Sequence, residues 1–198
     1  MTEALALIVF LLPLAYSPGP GNSFFAVNGA LYGVRAIVPA LIGYHIPTFI
    51  VTFAIGYGLS VSFLADPKVG LVLKILSSAY MFWIAFLCLR AAMSKATRDG
   101  DGISKKVAPP SFVMGAILML SNPKGYAIIA AMLSGFLGKD TSLLHLFFIT
   151  AIFTLNNMVA FLAWAFAGRG LTKLLNGRIS YLIYGVSFLA VGLWMLLR

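Results

Sequence analysis

Six stretches of this chain are apolar on every face, and the polar positions gather between them. They run over residues 4–27, 37–64, 71–89, 112–137, 143–167 and 179–197. Apolar runs of about 18 or more residues with few charges predict membrane-spanning helices. The period-two alternation of β-barrel strands is missing from them. The separators are short and rich in charges and turn formers. The third is longer, and its MSKATRDGDGISKKVAPP reads as a solvated linker. The pattern predicts an all-α membrane protein with six transmembrane helices.

Two stretches are interrupted where a helix should be strongest. The first contains AYSPGPGNSFF, with Pro18, Gly19, Pro20 and Gly21 in a row and Asn22 behind them. The fourth contains LSNPKGY, with Asn122, Pro123, Lys124 and Gly125. At an offset of 104, Ser17 falls on Ser121 and Gly21 on Gly125. The third and sixth stretches share only a pattern of small and large residues, at an offset of 107. Three spans per half is an odd number, so the halves must lie in opposite orientations. The expectation is therefore two inverted three-helix repeats, 1–93 and 112–198, joined by a cytoplasmic linker over 94–111, with spans one and four broken mid-membrane. Pro47, in the second stretch, suggests a third break.

Composition removes the soluble alternative. The chain has 198 residues, 61% hydrophobic and 10% charged, with a mean hydropathy of +0.99. Soluble domains carry about 25% charged residues. The basic residues are uneven. Nine lie in the separators after spans one, three and five, and four lie on the other side. Cytoplasmic loops are enriched in Lys and Arg, so both termini are expected outside the cytoplasm. The net charge of +9 reflects this bias, with lipid headgroups as counterions, and calls for no nucleic-acid partner. Met1-Thr2-Glu3 offers no basic start for a cleaved leader. The single cysteine, Cys88, reads as a packing residue.

Broken backbone inside hydrocarbon survives only where protein or a cavity supplies partners. Two breaks at matching places of inverted halves point to a binding site between them. Each exposes N–H groups at a new helix start and C=O groups at the preceding helix end. These suit a carboxylate and an ammonium respectively, and an α-amino acid carries both. The candidate substrate-binding set is Pro18, Gly19, Pro20, Gly21, Asn22, Asn122, Pro123, Lys124, Gly125, Asn156 and Asn157. The plainer reading is a pair of proline kinks that serve packing.

Charges at membrane depth are costly and functional by default. Lys124 could bind a carboxylate or cap the carbonyls of a broken helix. His45 is the one side chain at depth that titrates near neutral pH. It is the candidate for proton coupling, against the commoner role of a hydrogen-bonded structural histidine. His145 lies near a span end. Asn156 and Asn157 are consecutive, so at most one points fully into a cavity. Asn22 stands near a new helix start, where Asn caps well. Tyr16, Tyr44 and Tyr126 flank the breaks. All five acids, Glu3, Asp66, Asp99, Asp101 and Asp140, fall in termini or loops. A hard-cation carrier would want buried carboxylates, and lysine or arginine as substrate would want a counterion. Small neutral amino acids or their derivatives fit better. No metal or cofactor is expected.

The segment SPGPGNSFFAVNGALYGVRAIVPALIG, residues 17–43, resembles the start of the LysE/RhtB amino-acid exporters: PGP, then Gly33 and Arg35, then Gly43. Asn122-Pro123-Lys124 resembles that family's Asn-Pro-Lys motif, and Gly56, Gly58 and Gly168 also fit. The likeness extends over nearly the whole chain. It departs at Gly21, where many members have Asp or Asn, at Pro47 and Thr48, and at Ser78 and Ala85. The resemblance implies a proton-driven exporter in the bacterial inner membrane, exchanging an amino acid for protons, with a homodimer as the family's general habit. The rival readings are an exporter of basic amino acids, and a membrane-embedded enzyme or scaffold without transport. Ser17 or Ser121 with His45 is the only conceivable catalytic pair, and no motif supports it.

Overall fold

A computed structural model describes residues 2–17, 19–58, 67–93, 108–137, 142–174 and 177–197. The described residues form eight α-helices: α1 Glu3–Tyr16, α2 Pro20–Tyr32, α3 Val38–Gly56, α4 Pro67–Met93, α5 Phe112–Leu120, α6 Pro123–Phe136, α7 Leu143–Leu174 and α8 Gly177–Leu197. A short 3₁₀ turn, Val34–Ile37, leads into α3. Pro18, most of the expected linker (94–107), Asp66, Asp99, Asp101 and Asp140 lie outside the described residues.

Both expected breaks are present. The chain bends by 70° between α1 and α2, and by 63° between α5 and α6. Ser17 precedes Pro18 and is extended, with φ −66° and ψ 149°, as a residue before proline prefers. Pro20 and Pro123 then open α2 and α6, where the missing N–H costs nothing and φ is already helical. The third break, expected at Pro47, does not occur. Pro47 lies inside continuous α3. No glycine lies within three residues of it, whereas Gly19 and Gly21 accompany the first break and Gly125 the second, and one lost N–H is tolerated where neighbouring helices pack closely. Gly33 ends α2 with φ +82°, a region that favours glycine.

Val34–Gly56 and Leu143–Gly170 are each long and apolar enough to cross a membrane, and the two bent pairs bring the possible crossings to four. The stretches expected as spans three and six form α4 and α8. Their apolar parts, Met81–Arg90 and Tyr181–Leu193, are shorter than a crossing within the described residues. The helices α4 and α8 pack chiefly on each other, α2 on α7, and α3 on α5. In the last two contacts, glycines of one helix meet the main chain of the other. A Cβ on Gly43 would collide with the Phe112 carbonyl, one on Gly115 with that of Ala40, and one on Gly168 with that of Ala26. Such close approach through small residues is how helices associate where lipid removes the hydrophobic drive. Large apolar side chains such as Ile42, Ile46 and Ile50 remain exposed along one stripe of α3, as a lipid-facing surface requires.

Candidate functional site

The two breaks meet. The Lys124 ammonium, on the first turn of α6, donates to the main-chain carbonyl of Ser17 at the end of α1 (2.5 Å). The Lys124 stem lies so close to Gly19 that a Cβ there would sit 2.8 Å from its Cδ. A cation at a helix C-terminus satisfies unpaired carbonyls and the negative end of the dipole. Of the two roles open to Lys124, this conformation shows the capping one.

Asn22 has a different role from the expected one. The helix start falls earlier, at Gly19, whose backbone is extended (φ −177°, ψ 177°) and gives no side-chain cap. Asn22 is then the third residue of α2. Its Nδ2 reaches back to the carbonyls of Ala15 (2.8 Å) and Ser17 (3.0 Å). It closes the end of α1 rather than the start of α2. Asn122 does act as a helix cap: its Oδ1 accepts from the Lys124 N–H (3.2 Å). Its Nδ2 donates to the Tyr44 hydroxyl (2.8 Å). Ser17 and Ser121 match each other, bonding back to the carbonyls of Leu14 (3.1 Å) and Ile117 (2.5 Å). Tyr126 donates to the Leu120 carbonyl (3.0 Å), and the Tyr16 carbonyl accepts from the Trp164 indole (3.0 Å).

Asn22→Ala should therefore destabilise the protein by about 1–3 kcal/mol, because the buried Ala15 carbonyl loses this donor and that of Ser17 is left with Lys124. Thermal unfolding in detergent would read this. Asn22→Asp should do no better, since a carboxylate cannot donate.

A cavity of about 20 Å³ lies between the breaks, room for roughly one water. In this conformation it is closed to anything the size of an amino acid. Gly21, Asn22, Asn122, Lys124, Gly125 and Asn157 all line it. Gly19, Pro20 and Pro123 shape the breaks beside it, and Asn156 does not line it. Asn156 keeps a buried Nδ2 without a hydrogen-bond partner among the described residues. The adjacent Asn157 turns inward and offers its Nδ2 to His45 Nε2 at 3.4 Å. His45 Nδ1 in turn lies 2.7 Å from the Leu41 carbonyl. His145 pairs with Glu3 (2.6 Å) at the far end of α7 and α1, away from the cavity.

Among the lining residues that the sequence reading did not name as site candidates are Thr48, Phe153 and Phe161. Helical spacing could have found them. Phe153 and Phe161 lie four residues either side of Asn157, and Thr48 three after His45, on the same faces. Phe161 closes on Gly21, where a Cβ would collide with its ring. It stacks edge-on against Tyr44 at 4.7 Å, and the Tyr44 hydroxyl lies over Gly125.

The chain matches no curated protein and no solved structure. Residues 12–198 match the family model described as LysE type translocator. That range takes in both breaks and every residue around the cavity. With its apolar helices, the protein is a multi-pass membrane protein, and it belongs to the LysE type translocator family.

Proposed function

We propose that the protein is a secondary transporter that exports small neutral amino acids or their derivatives across the bacterial inner membrane in exchange for protons. The carrying observation is the meeting of the two breaks, with Lys124 of one on the Ser17 carbonyl of the other. A zwitterion can replace that internal contact pole for pole. Its ammonium takes the carbonyl end of α1, and its carboxylate takes Lys124 and the N-terminus of α6. No carboxylate lines the cavity, so a second positive charge on the substrate would lack a counterion.

The inverted-repeat reading draws support from how contacts pair off. Exchange of the halves relates α3 on α5 to α7 on α1, and α1 on α6 to α5 on α2, and it maps α4 on α8 onto itself; all of these contacts occur. Gly21 under Phe161 and Gly125 under Tyr44 form a similar pair. The broad contact of α2 with α7 has no equal partner between α6 and α3. Six spans, both termini outside, and proton coupling through His45 complete the proposal.

The test is efflux from vesicles loaded with labelled amino acids, at an inward proton gradient. Alanine-sized and other neutral substrates should leave at least about tenfold faster than lysine or arginine, the scale expected when a buried charge is left unpaired. Preferred export of lysine would overturn the substrate class. Export of none, from protein shown to be folded, would overturn the transport reading.

A further inference from the structure

His45 is held at both ring nitrogens, and the two bonds together define its state. An oxygen of a main-chain carbonyl only accepts, so Nδ1, 2.7 Å from that of Leu41, carries the hydrogen. In the neutral ring Nε2 is then the acceptor. Asn157 meets this need by turning its Nδ2 toward it, at 3.4 Å. The amide oxygen of Asn157 is left for the cavity that this residue lines. Both residues are buried, at 5% and 6% exposure, so no change at one can be absorbed by bulk water at the other.

Resting on the transport reading above, we propose that Asn157 makes a proton on His45 and an amino-acid ammonium in the cavity mutually exclusive. A proton arriving on Nε2 turns that nitrogen from acceptor into donor, while Nδ1 keeps its hydrogen and its bond to Leu41. Two N–H groups then oppose each other. The amide turns about its last torsion, which is broad for Asn, and presents Oδ1 to Nε2. Its NH₂ now faces the cavity in place of an acceptor, and the imidazolium adds a positive charge beside it. Both changes disfavour an ammonium. Release of the proton to water restores the acceptor. Nothing but the proton is transferred, taken from water on one side and returned to water on the other. Exclusion of each ligand by the other is what antiport needs, and by linkage it acts equally in both directions.

The other titratable groups near this pair are few. Tyr44 lies beside His45 on α3, with ring centroids 5.4 Å apart. Lys124 lines the same cavity from α6, and Tyr126 also belongs to α6. Helix α5, packed on α3, carries no titratable side chain. On α7, His145 is at the far end with Glu3.

The experiment measures equilibrium binding of a labelled neutral amino acid to purified full-length protein at several pH values. In the wild type, affinity should weaken at least about tenfold between about pH 8 and pH 5.5, across the usual range of a histidine. His45→Gln should flatten this to within about twofold, and Asn157→Leu should keep only the part due to the imidazolium charge, less than about half the wild-type slope, whatever they do to affinity itself. Asn157→Ser serves if the leucine variant fails to fold: one hydroxyl can donate or accept without turning an amide, so its slope should be reduced likewise. If His45→Gln is flat while the Asn157 variants keep the wild-type slope, the His45 proton acts on the substrate without Asn157 and the inference falls, with proton coupling intact. A flat wild-type profile in protein that still exports under a proton gradient also overturns it. Failure of the wild type to bind or export any neutral amino acid removes the transport reading, and this inference with it.

Discussion

Lys124→Ala should lower export at least about tenfold, the scale expected when a charged partner is deleted from a buried site. In the conformation described here the ammonium closes the carbonyl end of α1 across the cavity. Under the proposed function it would be the nearest cation for a substrate carboxylate. Alanine removes both roles and leaves Ser17 with the Asn22 amide alone. Lys124→Arg should not rescue the loss. The Lys124 stem already runs tightly against Gly19, and the broad guanidinium cannot replace a point charge there. The measurement is efflux from vesicles normalised to folded protein by size-exclusion chromatography. Export within about twofold of wild type in Lys124→Ala would show that the lysine only caps a helix, a bond worth about 1–3 kcal/mol of stability at most.

Gly115→Leu should cost most of the folded protein. A Cβ at this position would collide with the Ala40 carbonyl and lie 2.9 Å from the Tyr44 nitrogen. Both are backbone atoms of α3, which no rotamer change can move. Overpacking of this kind costs about 1–3 kcal/mol, and more where backbone must shift. The surface at stake also positions Tyr44 and His45. Detergent extraction followed by size-exclusion chromatography should show loss of the monodisperse peak. Gly135→Ala is the control: nothing lies within 4 Å of a Cβ there, so the variant should extract normally. If Gly115→Leu behaves like the control, the contact between α3 and α5 is looser than described.

Much of the site could be read from local chemistry. Proline and glycine runs inside apolar stretches have few physical explanations, and both breaks stand where PGPG and NPKG place them. That only one of two neighbouring asparagines could face the cavity followed from helical geometry, and Asn157 is the one that does. The errors came from effects that a residue list does not carry. Pro47 looked like the other prolines, but a proline with no glycine beside it in a closely packed helix leaves that helix continuous. Asn22 looked like a cap because Asn caps well; its role changed when the helix began three residues earlier. The partners of α2 and α5 were out of reach for another reason. Their contacts depend on glycines meeting distant carbonyls, and one sequence names the glycine without naming what it meets. The third and sixth spans rested on hydropathy alone, and only part of each remains strongly apolar in the described helices.

The glycine-to-backbone contacts of α2 with α7 and of α3 with α5 also bear on how the cavity could open. Backbone seated against backbone cannot slide by a rotamer change, so each of these pairs should travel as one stiff lever. The second half of the first broken span then rides with α7, and the first half of the other rides with α3. A bend of 70° or 63° thus lets one stretch of chain belong to two moving parts. The proline and glycine runs act as joints, and their flexing need not stretch a single helical hydrogen bond elsewhere.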